Sequence, residues 1–140
     1  MARSFRLIGV SLLLGVLAAC AQRPIDQTAE LKGTSWQLDV LGDRPAMPPR
    51  PMLRFDLNGN ISGQASCNRY AASARMAGDT ITIGPISATR MSCGDAIDAQ
   101  ESAYLGRLGK ATRFEVDGTI LKIYSDTESA PLQFLSTPEG

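Results

Sequence analysis

Alternating apolar runs punctuated by glycine–Asx pairs confine this chain to antiparallel β-structure. Leu53-Arg-Phe-Asp-Leu57 alternates apolar and polar residues, the period-two signature of a strand with one buried face. Asn58-Gly59 follows, a pair suited to a type I′ turn because both central residues there need φ > 0. Asn60–Ser66 returns as the partner strand, with Gly63 a candidate bulge. The device recurs at Gly78-Asp79, between Tyr70–Met76 and Thr80–Ile83, and at Asp117-Gly118, between Thr112–Val116 and Thr119–Tyr124. Thr34–Val40 and Leu132–Leu135 read as strands at the two ends, and Ile86–Met91 extends after Gly84-Pro85. Gly42–Pro45 turns the chain. Met47-Pro-Pro-Arg-Pro51 is a loop, because its three prolines cannot donate to a ladder. Leu53–Ile61 also echoes Thr112–Ile120, either as a duplicated hairpin or as two hairpins obeying one turn chemistry.

A single clear helix interrupts the strands, over Asp95–Gly109. Asp95 is a good N-cap. Asp95 and Asp98 suit the positive end of the helix dipole, and Arg107 and Lys110 the negative end. Ile97, Tyr104, Leu105 and Leu108 form one apolar stripe, and Gly109 fits a terminator. Glu101 falls inside that stripe. A buried, unpaired carboxylate is very costly, so Arg69, Arg90 or backbone N–H groups are expected to satisfy it. Structural pairing is the reading favoured for Glu101, since no second catalytic group stands near it in the pattern.

The N-terminus carries an address. Arg3 and Arg6 precede an apolar run that ends in Leu17-Ala-Ala-Cys20, the order of a basic region, an apolar region and a small-residue cleavage site. The Cys after Leu-Ala-Ala resembles a bacterial lipobox, in which the thiol is acylated and the chain is cut before it. Leu7–Ala19 holds 13 residues, short of the ~20 that a spanning helix needs. The expected organisation is a signal peptide over 1–19, a lipidated tether over 20–32 and a domain over 33–136. Ala21 stands where an Asp would resemble an inner-membrane retention signal. In a Gram-negative host this places the protein at the outer membrane, facing the periplasm and held by its lipid.

Composition narrows the chemistry. The chain has 140 residues, 14 basic and 14 acidic, enough for one domain with one core. Loss of Arg3 and Arg6 leaves the mature chain slightly acidic, with no basic run to suit nucleic acid. Histidine is absent, which removes the commonest general base and metal ligand. Two cysteines besides Cys20 are too few for a closed thiolate zinc site. No cofactor, no metal and no catalytic residues are expected, and a monomer is.

Cys67 and Cys93 are expected to pair, because an exported protein meets an oxidising compartment. Two buried free thiols are the alternative. Around them lie Gly33-x-x-Trp36-x-Leu38, Ile61-Ser-Gly63, Cys67-Asn68-Arg69-Tyr70, Ile86 and Thr89-Arg-Met-Ser-Cys93, then Glu101, Leu105 and Leu108. That order resembles the META domain of the HslJ-like heat-shock lipoproteins, over about Leu31 to Leu135. The family's glycine after the Asn-Arg-aromatic element is replaced here by Ala71-Ala72. The resemblance implies an α+β, mainly β fold: a strongly curved, barrel-like antiparallel sheet with one helix packed against it. It also implies an envelope role in stress tolerance, linked to resistance toward a hydrophobic antibiotic, and brings no catalytic residues. Asn68 is expected in a left-handed or side-chain-bonded turn. Asn68, Arg69, Arg90 and Met91 are the candidate binding residues. Against that stand plain readings: a turn Asn, surface arginines with partners, and a methionine filling the core.

The function expected from all this is a non-enzymatic envelope lipoprotein that supports stress or antibiotic tolerance by binding an envelope protein or lipid. A carrier or pilotin-like chaperone holding an acyl chain or apolar peptide would need an apolar cavity of several hundred Å3 within the sheet. An inhibitor of a periplasmic hydrolase would need an ordered, protruding loop such as Met47–Pro51.

Overall fold

A computed structural model describes residues 27–138. The expected signal peptide, Cys20 and most of the expected tether lie outside them. The described chain begins with a short helix, α1 (Thr28–Leu31), followed by β1 (Ser35–Leu41), β2 (Arg44–Pro45), β3 (Met52–Phe55), β4 (Ile61–Gln64), β5 (Arg69–Ala72), β6 (Ala74–Ala77), β7 (Thr80–Ile83) and β8 (Ser87–Ala88). Helix α2 (Asp95–Leu108) comes next, and β9 (Ala111–Asp117), β10 (Ile120–Ser125) and β11 (Glu128–Thr137) complete the domain.

These strands form one antiparallel sheet in the order β6-β7-β9-β10-β11-β1-β3-β4-β5-β8, with β2 paired to β1. The sheet curls into a half-barrel with α2 packed against it, the class expected from the sequence. Strands β5 and β6 stand far apart in that order, yet only Ser73 separates them along the chain. One extended segment thus leaves β4, bends at Ser73 and joins β7. The Gly84 N–H donates to the Ser73 carbonyl at 2.9 Å and holds the corner. A bent strand of this kind lets a sheet turn back toward itself.

The inner face is filled by alternating side chains. Leu38, Leu53, Phe55, Phe114, Leu121 and Phe134 have no exposed surface, and Tyr104 and Leu108 of α2 close over them. Tyr104 meets Phe134 and Tyr70 edge-to-face. Leu31 is fully buried as well. The tether expected to reach Lys32 therefore ends earlier, because Leu31 belongs to the core.

Strand register gives the molecule two distinct ends. Ser35 pairs with Arg54 and Thr137, Phe55 with Ile61, and Ile120 with Asp117. The start of β1 and the tips of the β3–β4 and β9–β10 hairpins consequently share one end, where α1 also lies. At the other end Leu41 pairs with Leu132, and Gln64 with Arg69. There stand the β4–β5 turn and the helix residues that fasten it.

Several local expectations are corrected. Pairing of Phe55 with Ile61 leaves a five-residue loop at Asn58-Gly59, not a two-residue turn. Gly59 alone takes a positive φ there, because the Asp56 carboxylate accepts the N–H groups of Asn58 and Asn60 and supports a wider loop. The look-alike hairpin instead turns on Gly118-Thr119, so the two echoing stretches differ at their tips. Gly78-Asp79 is a two-residue turn as expected. Gly63 makes no bulge against β5, where it pairs with Tyr70 in an unbroken register. A Cβ there would lie 1.9 Å from the Met52 carbonyl oxygen, so close approach is what demands glycine. Of Ile86–Met91 only Ser87–Ala88 forms a strand. The N-cap of α2 is Gly94 rather than Asp95. Asp98 reaches back to accept the Cys93 N–H and the Ser92 hydroxyl, drawing the loop over the helix start. At its other end Gly109 stops the helix with φ −66°, in helical rather than left-handed backbone.

Candidate functional site

Two adjacent residues of α2, Gln100 and Glu101, organise the end opposite α1. Both are buried. Glu101 Oε2 accepts the backbone N–H groups of Cys67 at 2.9 Å and Asn68 at 2.7 Å, and its Oε1 accepts Asn68 Nδ2. The expectation that backbone N–H groups would satisfy this acid is met. Its alternative is not, since neither Arg69 nor Arg90 contributes. A carboxylate can accept several donors, and three here replace the water it lost.

Asn68 is the hub. Besides serving Glu101, Nδ2 donates to the Met91 carbonyl at 2.9 Å, while Oδ1 accepts the Met91 N–H at 2.7 Å and the Thr89 hydroxyl at 2.8 Å. Two donor hydrogens and two acceptor positions exhaust what an amide side chain offers. Asn68 is thus side-chain-bonded, as expected, and it ties three segments together: its own turn, the 89–91 loop and α2. The left-handed residue of that turn is Ser66, φ 94°, the sole non-glycine with positive φ among the described residues. Gln100 extends the stitching. Its Nε2 donates to Ser66 Oγ and the Met47 carbonyl, and its Oε1 accepts the Met47 N–H.

The sulfurs of Cys67 and Cys93 lie at bonding distance, with Cα atoms 5.9 Å apart. Cys67 is buried and Cys93 exposed. The bridge fixes the far end of the 89–93 loop, and Asn68 fixes its near end. Asp98 bears on the same loop: the Cys93 N–H, then the Ser92 hydroxyl, hold its carboxyl below the usual aspartate range.

What this scaffold presents is a short, doubly fastened surface. Met91 is 62% exposed; the expectation of a core methionine is overturned because its backbone, not its side chain, is what the network engages. Arg69 and Arg90 are exposed, and among the described residues neither forms an ion pair, so the reading of paired surface arginines also fails. On the other side of α2, Met47 is 44% exposed, with its backbone pinned by Gln100. Between Met47 and α2 a hollow of about 320 Å3 is lined by Leu41, Pro45, Met47, Ala96, Ala99 and Ala103 among others. No group of three or more metal-binding side chains occurs among the described residues.

Sequence reasoning missed Gln100, Ser66 and Thr89. Gln100 lies three residues after Ile97 and four before Tyr104, so the argument that singled out Glu101 applies equally to it. Thr89 was legible only as part of the Thr89-x-Met91 pattern. Ser66 gave no signal, since a positive φ ordinarily points to glycine.

A curled antiparallel half-barrel, capped by one helix whose buried acid clasps a Cys-Asn-Arg turn, defines a small β-domain class. The META domain family model matches residues 29–139, and the chain belongs to that family. Its fold is shared by solved structures of low identity. An NMR structure of a protein from Burkholderia xenovorans superposes with TM-score 0.70 at 23% identity, covering 94% of this chain and 100% of that one. Another NMR structure gives 0.64 at 18%, covering 77% and 92%. A crystal structure of a DUF4847 family protein from Bacteroides vulgatus gives 0.58 at 13%, covering 79% and 96%. No curated protein matches.

Proposed function

We propose that the protein is a lipid-anchored envelope domain without catalytic activity, which supports stress or antibiotic tolerance by binding an envelope component at the surface around Arg69, Arg90 and Met91. One observation carries this reading. A buried network spends all four hydrogen-bonding positions of Asn68 and a buried carboxylate on holding the 89–93 loop against the start of β5, where the outward side chains are an exposed methionine and two unpaired arginines. Pre-ordering a surface lowers the entropy cost of binding to it. In this reading the protein acts as a monomer and uses no cofactor.

The test is crosslinking in living cells from a photoreactive residue at Met91, with Thr82 as an exposed control. Capture from 91 of one defined protein or lipid, abolished by Arg69→Glu with Arg90→Glu, is expected. Equal capture from both positions, insensitive to the charge reversals, would refute the site. Cys20→Ala should independently abolish lipid labelling and release the chain from the membrane.

A second reading, inhibition of a periplasmic hydrolase, draws on the Met47 loop, which is ordered by Gln100 and leaves its side chain outward. Crosslinking from Met47 that captures a hydrolase, with none from Met91, would favour it. The carrier reading lacks such support: the concave face is filled by fully buried side chains, and the hollow beside Met47 opens on the outside.

A further inference from the structure

We propose that the tip of the β3–β4 hairpin is a membrane-docking surface, seating Leu57 among acyl chains and Lys32 and Arg54 against phospholipid phosphates. The inference rests on acylation of Cys20, as proposed above.

Three observations converge on that tip. Leu57 is 79% exposed, more than the other large hydrophobic side chains exposed among the described residues. It lies beside the point where the chain enters the domain, since a Cβ on Gly33 would meet Leu57 Cδ2 at 3.2 Å. Gln27 stands seven positions after Cys20, a span of at most about 25 Å even when fully extended. An acylated Cys20 therefore holds this end of the barrel, and not the Asn68–Glu101 end, near the bilayer.

The chemistry around Leu57 suits an interface. Leu57, Lys32 and Arg54 line one open hollow of about 670 Å3. Neither cation forms an ion pair among the described residues. The carboxylate in that hollow, Asp56, is already engaged by the N–H groups of Asn58 and Asn60 and by Asn60 Nδ2. Basic side chains flanking an apolar one are the usual composition of a segment lying in the headgroup region. Glu30 and Asp117 also stand at this end, on α1 and on the tip of the β9–β10 hairpin. They keep the attraction local to the β3–β4 tip rather than spread over the whole face. Docking there turns the Arg69–Arg90–Met91 surface away from the bilayer that holds the anchor.

The experiment uses the acylated protein, purified from membranes and reconstituted into vesicles of phosphatidylethanolamine and phosphatidylglycerol. An environment-sensitive fluorophore is placed at Asn58→Cys, which leaves Leu57 intact, or at Asp43→Cys on the opposite end. The expected result is a blue shift and strong quenching by lipid-borne spin labels at 58, several-fold above that at 43. Leu57→Ser, and separately Lys32→Glu with Arg54→Glu, should bring quenching at 58 down toward the value at 43. Protein that floats with the vesicles yet is quenched equally at both positions would overturn the docking surface alone. Protein that fails to float would overturn the acyl anchor and this inference with it.

Discussion

Glu101→Gln tests the buried clasp without changing its shape. The carboxylate now accepts three hydrogen bonds, two from backbone N–H groups on Oε2 and one from Asn68 on Oε1. A glutamine can keep its oxygen toward Cys67 and Asn68 N–H. Its amide nitrogen then faces Asn68 Nδ2, donor against donor. Flipping Asn68 does not help, because its amide is already committed to Thr89 and to both backbone groups of Met91. One hydrogen bond to a charged group is lost, worth about 1.5–3 kcal/mol, and two others fall to neutral strength, at roughly 1 kcal/mol each. Removing a buried charge returns part of this, so the expected net loss is about 2–4 kcal/mol. Glu101→Ala, which leaves all three donors unpaired, should cost about 3–5 kcal/mol. Equilibrium urea unfolding with the cysteine pair intact measures both, with Ser102→Ala as an exposed neighbour expected within about 0.5 kcal/mol of the parent. A Glu101→Gln variant as stable as the parent would refute the assignment of donors around Asn68.

Reducing the Cys67–Cys93 bridge opens a loop of sequence separation 26, for which chain entropy gives roughly 3.5 kcal/mol; unfolding with and without reductant measures it, and an unchanged midpoint would show that the pair is not bonded. Asn68→Asp sets a second carboxylate against Glu101 and removes both donors of the hub. It should destabilise strongly at neutral pH and recover in part in acid as the introduced carboxyl is protonated, read from melting temperature against pH. Gly63→Ala drives a Cβ into the Met52 carbonyl and should cost about 1–3 kcal/mol, measurable by thermal unfolding. Burial raises the pKa of both Tyr104 and Tyr70 above the ordinary tyrosine value of 10.0. Their contribution to stability is complete below pH 10.0 and is lost as pH rises toward the folded values, so alkaline unfolding should begin later in a variant carrying Phe at both positions.

The strands and the helix were legible because each obeys one local rule. Trp36 and Leu38 in β1, and Leu53 and Phe55 in β3, alternate with polar residues and point inward. What escaped local reading is set by partners distant in sequence. Asn58-Gly59 carries the composition of a two-residue turn, yet the Asp56 carboxylate next to it organises a longer one. Gly63 reads as a bulge in isolation, and only the Met52 carbonyl on the neighbouring strand explains it. Leu31 reads as tether among polar neighbours, and only the closed end of the barrel gives it somewhere to go. At the site, Glu101 was legible through its misplaced charge. Its donors were legible as alternatives, because an apolar stripe tells that a carboxylate is buried and not what it meets.

The choice of backbone N–H groups over Arg69 and Arg90 as partners for Glu101 bears on what the site can do. Had either arginine turned inward, the acid would hold a long, flexible side chain at a high entropy cost, and the outer surface would lose that cation. Backbone donors are already fixed by the β4–β5 turn, so they neutralise the acid without further ordering. The carboxylate thereby immobilises Cys67 and Asn68, Asn68 immobilises Thr89 and Met91, and both guanidinium groups stay in solvent. A fold under selection for stability alone gains nothing from keeping an unpaired arginine and an exposed methionine on its most heavily fastened loop, and a second unpaired arginine beside it at the start of β5. A surface that must be rigid before it meets an acidic or apolar partner gains from all three.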